Sequence, residues 1–329
     1  MNGWTVNEYG EPSDVLKVVE QSQPKVKVGE ALIEVESAAL NFFDILLCQG
    51  KYQEKPPFPF TIGAEVSGRV VQIPEGSSLK EGQRVLALPK LPSGGLAEFV
   101  AVNEGLIYPI PESMSWNEAA SFFMTYHTSF YALHERGNLK DGDVLLVHAG
   151  AGGVGSAAIQ LGKATGAYVI ATAGGQEKTN ICKELGADVV VDYTSEDFVQ
   201  VVKEHTGGKG ADVIFDPVGG HVFDRSRKCI GFDGRILVIG FAGGDIPSAP
   251  ANHMLVKNYS VVGVHWGLFA KLKPEEVRKE HDRLLDLYED RKIKPLIYRE
   301  FAFDQVPSAL DLLAQRKTWG KLVVNVKTN

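Results

Sequence analysis

Cysteine is scarce in this chain. There are three, Cys48, Cys182 and Cys229, an odd number with no Cys-x-x-Cys pair. That count argues against a disulfide scaffold and points to a reducing cytosol. Long apolar runs are missing too, and none approaches the roughly 20 residues that cross a bilayer. The opening Met1-Asn2-Gly3-Trp4-Thr5-Val6 alternates like a strand, without a basic-then-apolar leader. Positive charge is not in surplus: the net charge is −7, with acids and bases interspersed, which disfavours nucleic acid and anionic membranes as partners. Internal repeats and low-complexity segments are absent. What is there is an ordinary globular composition, 44 % apolar and 23 % charged, over 329 residues. That length exceeds what one hydrophobic core usually supports, so two domains are expected, in a cytoplasmic protein.

The chain is written in two grammars. Up to about residue 120, short β-branched runs at 30–36, 64–71, 83–88 and 96–102 are separated by turn residues such as Pro74-Glu75-Gly76 and Ser93-Gly94-Gly95. Ser115-Trp116-Asn117-Glu118 then has the form of a capping box and opens an apolar helix towards Arg136, with Trp116 read as a core residue. From Asp143 onwards strands alternate with helices. Strands are expected at 143–148, 168–172, 188–192, 212–216, 235–240 and 259–264, with helices at 156–165, 177–185 and 196–205. Near-continuous apolar strands with helical crossovers mean a parallel sheet covered on both faces. Six of them make a complete doubly wound dinucleotide fold. The tail adds a charged helix at 274–292, a strand at 296–303, a helix at 306–316 and a strand at 321–326, and is expected to return to the first domain. The division read here is 1–122 with 266–329 for a β-rich domain, and 123–265 for the nucleotide domain.

Val147-His148-Ala149-Gly150-Ala151-Gly152-Gly153-Val154-Gly155 runs from a strand through G-x-G-x-x-G into a helix. The motif alone is common, but a strand before it, a helix after it and five further strands are the context it requires. Gly150 permits the tight turn, Gly152 lets the backbone approach a pyrophosphate, and Gly155 allows close helix–sheet packing. Gly153 and Val154 contribute N–H groups at the helix start, where anions bind. The end of the second strand selects the cofactor. An NAD site carries Asp or Glu there; this chain has Thr172-Ala173-Gly174-Gly175 and then Lys178. A missing carboxylate removes repulsion against a 2′-phosphate, and Lys178 supplies positive charge, so NADPH is the expected cofactor. Tyr193, after the third strand, offers a hydroxyl donor or a wall for the adenosine. The bland alternative makes Lys178 a solvated helix residue.

With these residues in hand, the chain resembles the medium-chain dehydrogenase/reductases, specifically the zinc-free quinone oxidoreductase (zeta-crystallin-like) branch. The resemblance spans essentially the whole length. It rests on Asn41-Phe42-Phe43-Asp44, Gly63-Ala64-Glu65-Val66-Ser67-Gly68, Gly82-Gln83-Arg84-Val85, the 149–155 loop, Val238-Ile239-Gly240-Phe241 and Gly320-Lys321. It implies an α/β architecture: a GroES-like, β-rich catalytic domain, a six-stranded doubly wound Rossmann domain, and an active-site cleft between them. By the same resemblance, the histidine that binds catalytic zinc in the alcohol dehydrogenase relatives is replaced by Ala64, and the first cysteine ligand by Asp44. No four-cysteine lobe is present, so no metal is expected. Carried over by position, Asn41, Asp44 and Tyr52 face the reacting space. Thr128, Phe241, Ala242, Val264, His265 and Arg316 join the cofactor contacts, and Trp266 lines the substrate pocket. Asn41 has the alternative of capping the helix that follows it, Tyr52 of loop packing.

Without a Lewis acid, the accessible chemistry is hydride transfer to a substrate that already accepts it, a quinone or an α,β-unsaturated carbonyl compound. Two other readings stand beside this one. An enoyl-thioester (CoA or acyl-carrier) reductase would use basic residues such as Lys51 and Lys55 near Tyr52, and a non-catalytic NADPH-binding protein would use only the second domain. The resemblance also implies a homodimer, paired through the edge strand at 259–264; the competing reading is that the segment 269–292 folds back over this edge and leaves a monomer.

Overall fold

A computed structural model describes residues 1–327, and the chain divides into two compact units, 1–123 with 295–329, and 124–294. In the first unit the hub is the long strand Glu30–Leu40. It pairs antiparallel with Val66–Gln72, with Phe99–Asn103, and with Lys321–Asn325 from the chain's far end. The last of these is flanked by the parallel strand Ile297–Ala302, and Arg84–Ala87 and Ile107–Pro109 extend the opposite side, making a seven-stranded sheet. A smaller sheet joins Leu16–Glu20, Asn2–Val6 and Phe60–Thr61. Between them lies an aliphatic core that includes Val6, Ile33, Val35, Leu40, Ile62, Val66, Leu322 and Val324. Alternation along these strands puts such residues on the inner face. The strand Glu30–Leu40 ends at Asn41, where the helix Phe42–Cys48 begins.

The second unit holds six parallel strands, which we number β1 (Val144–Val147), β2 (Tyr168–Ala173), β3 (Val189–Asp192), β4 (Ala211–Asp216), β5 (Ile230–Val238) and β6 (Ser260–Gly263). Their order in the sheet is β3-β2-β1-β4-β5-β6. This is the doubly wound order, whose direction reverses between β1 and β4; ligands bind in the crevice outside the carboxyl ends of the strands at that reversal. Ser115 and Glu118 form the expected reciprocal cap on the helix Trp116–Phe130: the Glu118 carboxylate accepts from the Ser115 N–H at 2.9 Å, and Ser115 Oγ accepts from the Glu118 N–H at 3.2 Å.

Two expectations need correction. The segment 266–294 lies in the second unit, not the first. Phe269 stacks on Tyr131 with ring centroids 4.3 Å apart, and Gln160 holds Lys294 by its backbone N–H at 2.7 Å and its carbonyl at 3.1 Å. The return to the first unit starts at Pro295. Trp116 is not core either. It is half-buried beneath two guanidinium groups, Arg84 at 4.1 Å and Arg69 at 5.2 Å from its ring centre, so cation–π contact holds it.

The glycine turn after β1 shows how tightly this fold is specified. A Cβ on Gly155 would lie 2.2 Å from the Ala149 carbonyl oxygen, a backbone atom that cannot swing aside. Replacing Gly155 with Ala is expected to cost about 1–3 kcal/mol through forced backbone displacement. Thermal melting checks this, and an unchanged midpoint would contradict it.

Candidate functional site

The carboxyl ends of six parallel strands all reach the same edge of the sheet, and most of the predicted cofactor residues lie there. After β1 the chain makes the turn 148–152. Ala149 adopts a left-handed conformation (φ 51°), which strains a non-glycine residue, and its carbonyl accepts from the Gly152 N–H at 2.9 Å. The Gly150 N–H donates to Thr172 O, tying the turn to β2. The helix Gly153–Thr165 then begins, with Gly152 as its N-cap and no side-chain capping bond. Its first N–H groups therefore have no internal partner, and Gly153 and Val154 sit at that terminus. Thr128 is close by in sequence to the contact that anchors this turn: its neighbour Ser129 donates to Val154 O at 2.9 Å.

After β2 come Gly174 and Gly175, then the helix Gln176–Glu184 carrying half-buried Lys178. Burial pulls the Lys178 ammonium pKa below its ordinary value, against the opposing charge of Glu177. The Tyr193 hydroxyl, exposed after β3, lies over Gly174, where a Cβ would meet it at 2.6 Å. The acid ending β3, Asp192, is committed elsewhere. The Thr194 hydroxyl, then the N–H groups of Gly175 and Thr194, hold its carboxyl below the usual carboxylate range. Phe241 and Ala242 follow β5, and the Ala242 N–H bonds Pro217 O after β4 at 2.9 Å. Val264, after β6, donates to Val238 O at 3.1 Å, and exposed His265 precedes the helix Trp266–Leu272. Trp266 is half-buried, its ring centre 5.9 Å from that of His127.

In the first unit Asn41 sits where the long strand becomes a helix. Its backbone N–H donates to Asp44 Oδ2 at 2.8 Å, and the Gly63 N–H donates to Asp44 Oδ1 at 3.2 Å. Asp44 is fully enclosed. Burial pushes its carboxyl up to about 7, against the pull of these two donors and of Lys321. Both oxygens serve backbone, so Asp44 fixes the chain around Asn41 rather than facing open space. The Asn41 carboxamide does not cap the helix. Its Nδ2 donates to Glu65 Oε1 at 3.0 Å, and its Oδ1 accepts from Lys321 Nζ at 2.7 Å. Lys321 closes the ring with a 2.7 Å ion pair to the same Glu65 oxygen, both side chains being buried. Tyr52 is half-buried and stacked on Phe43 at 5.4 Å; burial first, then Glu54 and Asp44, raise its phenol pKa. Arg316 also belongs to this unit. It is exposed, with a left-handed backbone (φ 57°), and its guanidinium lies 5.8 Å from the Phe42 ring centre, beside Asn41 in sequence.

Residues 27–112 match the alcohol dehydrogenase GroES-like domain, and residues 153–286 match the zinc-binding dehydrogenase domain. A quinone oxidoreductase-like protein 2 homolog of Nematostella vectensis is 41 % identical over 326 residues, covering 98 % of this chain and 88 % of that protein. The chain belongs to the quinone oxidoreductase branch of the medium-chain dehydrogenase/reductases. A quinone oxidoreductase of Escherichia coli solved in complex with NADPH matches with a TM-score of 0.90 at 27 % identity, over 99 % of this chain and 100 % of that one. A mycobacterial protein, also complexed with NADPH, matches with a TM-score of 0.90 at 31 % identity over the same shares. The first unit is thus GroES-like and the second a Rossmann-type domain. Among the described residues, no group of three or more His, Cys, Asp or Glu side chains could hold a metal ion.

For a member of this branch, Glu65 and Lys321 were the residues hardest to foresee. Each stands in a motif, Gly63-Ala64-Glu65 and Gly320-Lys321, and each is a charge in an apolar strand context, a signal that a buried partner is required. Their sequence separation hides that each is the other's partner. His148 was also passed over. It is buried, and Ser226 Oγ spends its hydrogen on Val222 O, so Ser226 accepts from His148 Nε2–H at 2.8 Å and Nδ1 accepts from the Thr172 hydroxyl at 3.0 Å.

That ring is therefore neutral in the fold. Burial lowers its pKa from 6.5 to about 4, against the charge of Asp216. A depressed folded pKa contributes stability above the unfolded value and loses it as pH falls through the folded one. Between pH 6.5 and 4 the wild type should lose on the order of 3 kcal/mol that a His148→Gln variant does not. Urea unfolding across this range measures it, and parallel pH profiles would contradict it.

Proposed function

We propose that the protein is an NADPH-dependent reductase that transfers hydride, without a metal, to a quinone or an α,β-unsaturated carbonyl compound. One observation carries the reading. The helix start after β1 offers its N–H groups to a pyrophosphate, while the turn after β2 has Ala173-Gly174 and Lys178 in place of a ribose-binding acid. Gly150, Gly152, Gly153, Val154 and Gly155 would cradle the phosphates, and Gly174, Lys178 and Tyr193 the 2′-phosphate end. Thr128, Phe241, Ala242, Val264 and His265, with Asn41 and Arg316 of the first unit, would hold the remainder.

NADPH, when bound, supplies a hydride to an electron-poor carbon. The chain's own residues then have to stabilise charge and deliver a proton. Asn41 carries an amide N–H and a carbonyl lone pair beyond those used in its ring of bonds, and it orients the reactants. Tyr52, whose phenol pKa is raised by burial, would donate its proton to the oxygen of an enolate or of a quinol anion. Asp44 holds the backbone that presents Asn41. Two features support the metal-free reading: Ala64 has no donor, and both oxygens of Asp44 accept backbone N–H groups. Exposed Lys51 and Lys55, on either side of Tyr52, support a second reading in which the carbonyl is a CoA or acyl-carrier thioester.

Oxidation of NADPH over a panel of quinones, enones and enoyl thioesters, in the presence of EDTA, tests the reaction. Turnover with the first two classes is expected; binding of NADPH with no turnover would leave only a nucleotide-binding protein. Lys178→Glu should weaken NADPH binding by about 1–3 kcal/mol, as for a lost charge-assisted bond, and leave NADH binding little changed. Equal weakening of both would remove Lys178 from the site.

The same reading includes a homodimer in the cytoplasm. β6 is an edge strand, and Leu255 and Val256 on the preceding helix are each 82 % exposed, an apolar edge that a second copy would cover. No helix among the described residues is long and apolar enough to cross a membrane. Light scattering should give about twice the 35.8 kDa of one chain. A mass near that of one chain would refute the dimer.

A further inference from the structure

We propose that Lys321 and Glu65 are positioning residues that lock the Asn41 carboxamide in one of its two orientations, fixing which edge it offers to the dinucleotide. The inference rests on the role of Asn41 given above and adds the residues that set it. A carboxamide has two nearly isosteric ends, and rotation by half a turn exchanges a donor for an acceptor. Here the two neighbours remove that freedom by chemistry alone. The Lys321 ammonium only donates, so the atom 2.7 Å from it is the amide oxygen. The Glu65 carboxylate in the ion pair only accepts, so the atom 3.0 Å from it is the amide nitrogen. The flipped amide would set N–H against N–H and oxygen against oxygen inside a buried cluster. Asp44 holds the main chain on both sides of the cluster: its Oδ2 accepts the Asn41 N–H, and its Oδ1 accepts the N–H of Gly63, two residues before Glu65.

Neither charge explains itself as a contributor to stability. A buried ion pair is often no better than apolar residues of the same volume. This pair also shares one oxygen, Glu65 Oε1, between Lys321 and Asn41. Such an arrangement stabilises the fold poorly but specifies an amide orientation well. It leaves Asn41 with one N–H and one lone pair at fixed positions. Their bonding to the dinucleotide is then a matter of geometry already set, with no reorganisation left for the moment of reaction.

The decisive variant removes both charges together, Lys321→Met with Glu65→Gln, because removing one alone would strand the other in the core. The Gln amide can donate or accept, so it no longer dictates how Asn41 turns. This double variant should melt within a few degrees of the wild type. It should bind NADPH more weakly by 5–50-fold in calorimetry, and lower kcat by 10–100-fold with the KM for the electrophile changed less than threefold. Asn41→Ala should do the same in the wild-type background and add less than twofold in the double variant, since the three residues act as one unit. Wild-type NADPH affinity and kcat in a folded double variant would overturn the proposal. Independent, multiplying losses from Asn41→Ala and the double variant would also overturn it. If Asn41→Ala alone changes nothing, what fails is the assigned role of Asn41, whichever way the double variant behaves. Should the double variant not fold, Lys321→Arg with Glu65→Asp keeps both charges and shifts their reach. A loss of affinity that Asn41→Ala does not deepen would support the lock, and wild-type affinity would overturn it.

Discussion

A helix that begins where a buried parallel strand ends leaves backbone N–H groups with no partner inside the helix, and the second unit is arranged around that one deficit. In the turn 148–152 the chain accepts a left-handed Ala149, and at Gly155 a site with no room for a Cβ, in order to set the helix start directly after β1. His148 pins the same turn from beneath through Thr172 and Ser226. The strand order places that helix start at the reversal of the sheet, where connections diverge to opposite faces and a crevice opens. The loops after β2 to β6 gather at the same edge, and two acids there brace the backbone: Asp192 accepts from the Gly175 N–H, and Asp216 from the N–H groups of Val218 and Gly219. An edge supplied with N–H groups is suited to an anionic ligand.

The first unit solves a different problem with the opposite means. It encloses charge instead of leaving donors open. Lys321, opening one strand, and Glu65, just before another, lie far apart in sequence on either side of the Glu30–Leu40 strand, and meet at its end, where Asn41 starts a helix. The chain's last strand therefore supplies a buried partner to Asn41 and is not merely a cover. The long return through 295–321 brings one ammonium group to Asn41.

The nucleotide unit was legible in the sequence because its determinants are local. The glycine motif, the strand before it and the strand periodicity each fit within a few residues, and all six strands formed within a few residues of the expected bounds. Resemblance put forward Asn41, Tyr52 and the loop residues after β5 and β6 as candidates. What stayed hidden was non-local. The Glu65–Lys321 pair spans the whole chain, and no spacing rule connects the two. The segment 266–294 read as a return to the first unit, because nothing in a charged helix reveals that Gln160 and Tyr131 will hold its neighbours. Trp116 read as core because sequence alone does not show Arg69 and Arg84 closing over its face.

Hydride transfer from a nicotinamide to carbon, with no metal to assist, is the reaction proposed for this chain. It is tested most directly by following the atom. NADPH deuterated at the transferring face of nicotinamide C4 is mixed with the metal-stripped protein and an enone, and the product is read by mass spectrometry and NMR. One deuterium at the β-carbon of the saturated product is expected. A product without deuterium, or turnover that vanishes on stripping and returns with zinc, would contradict it.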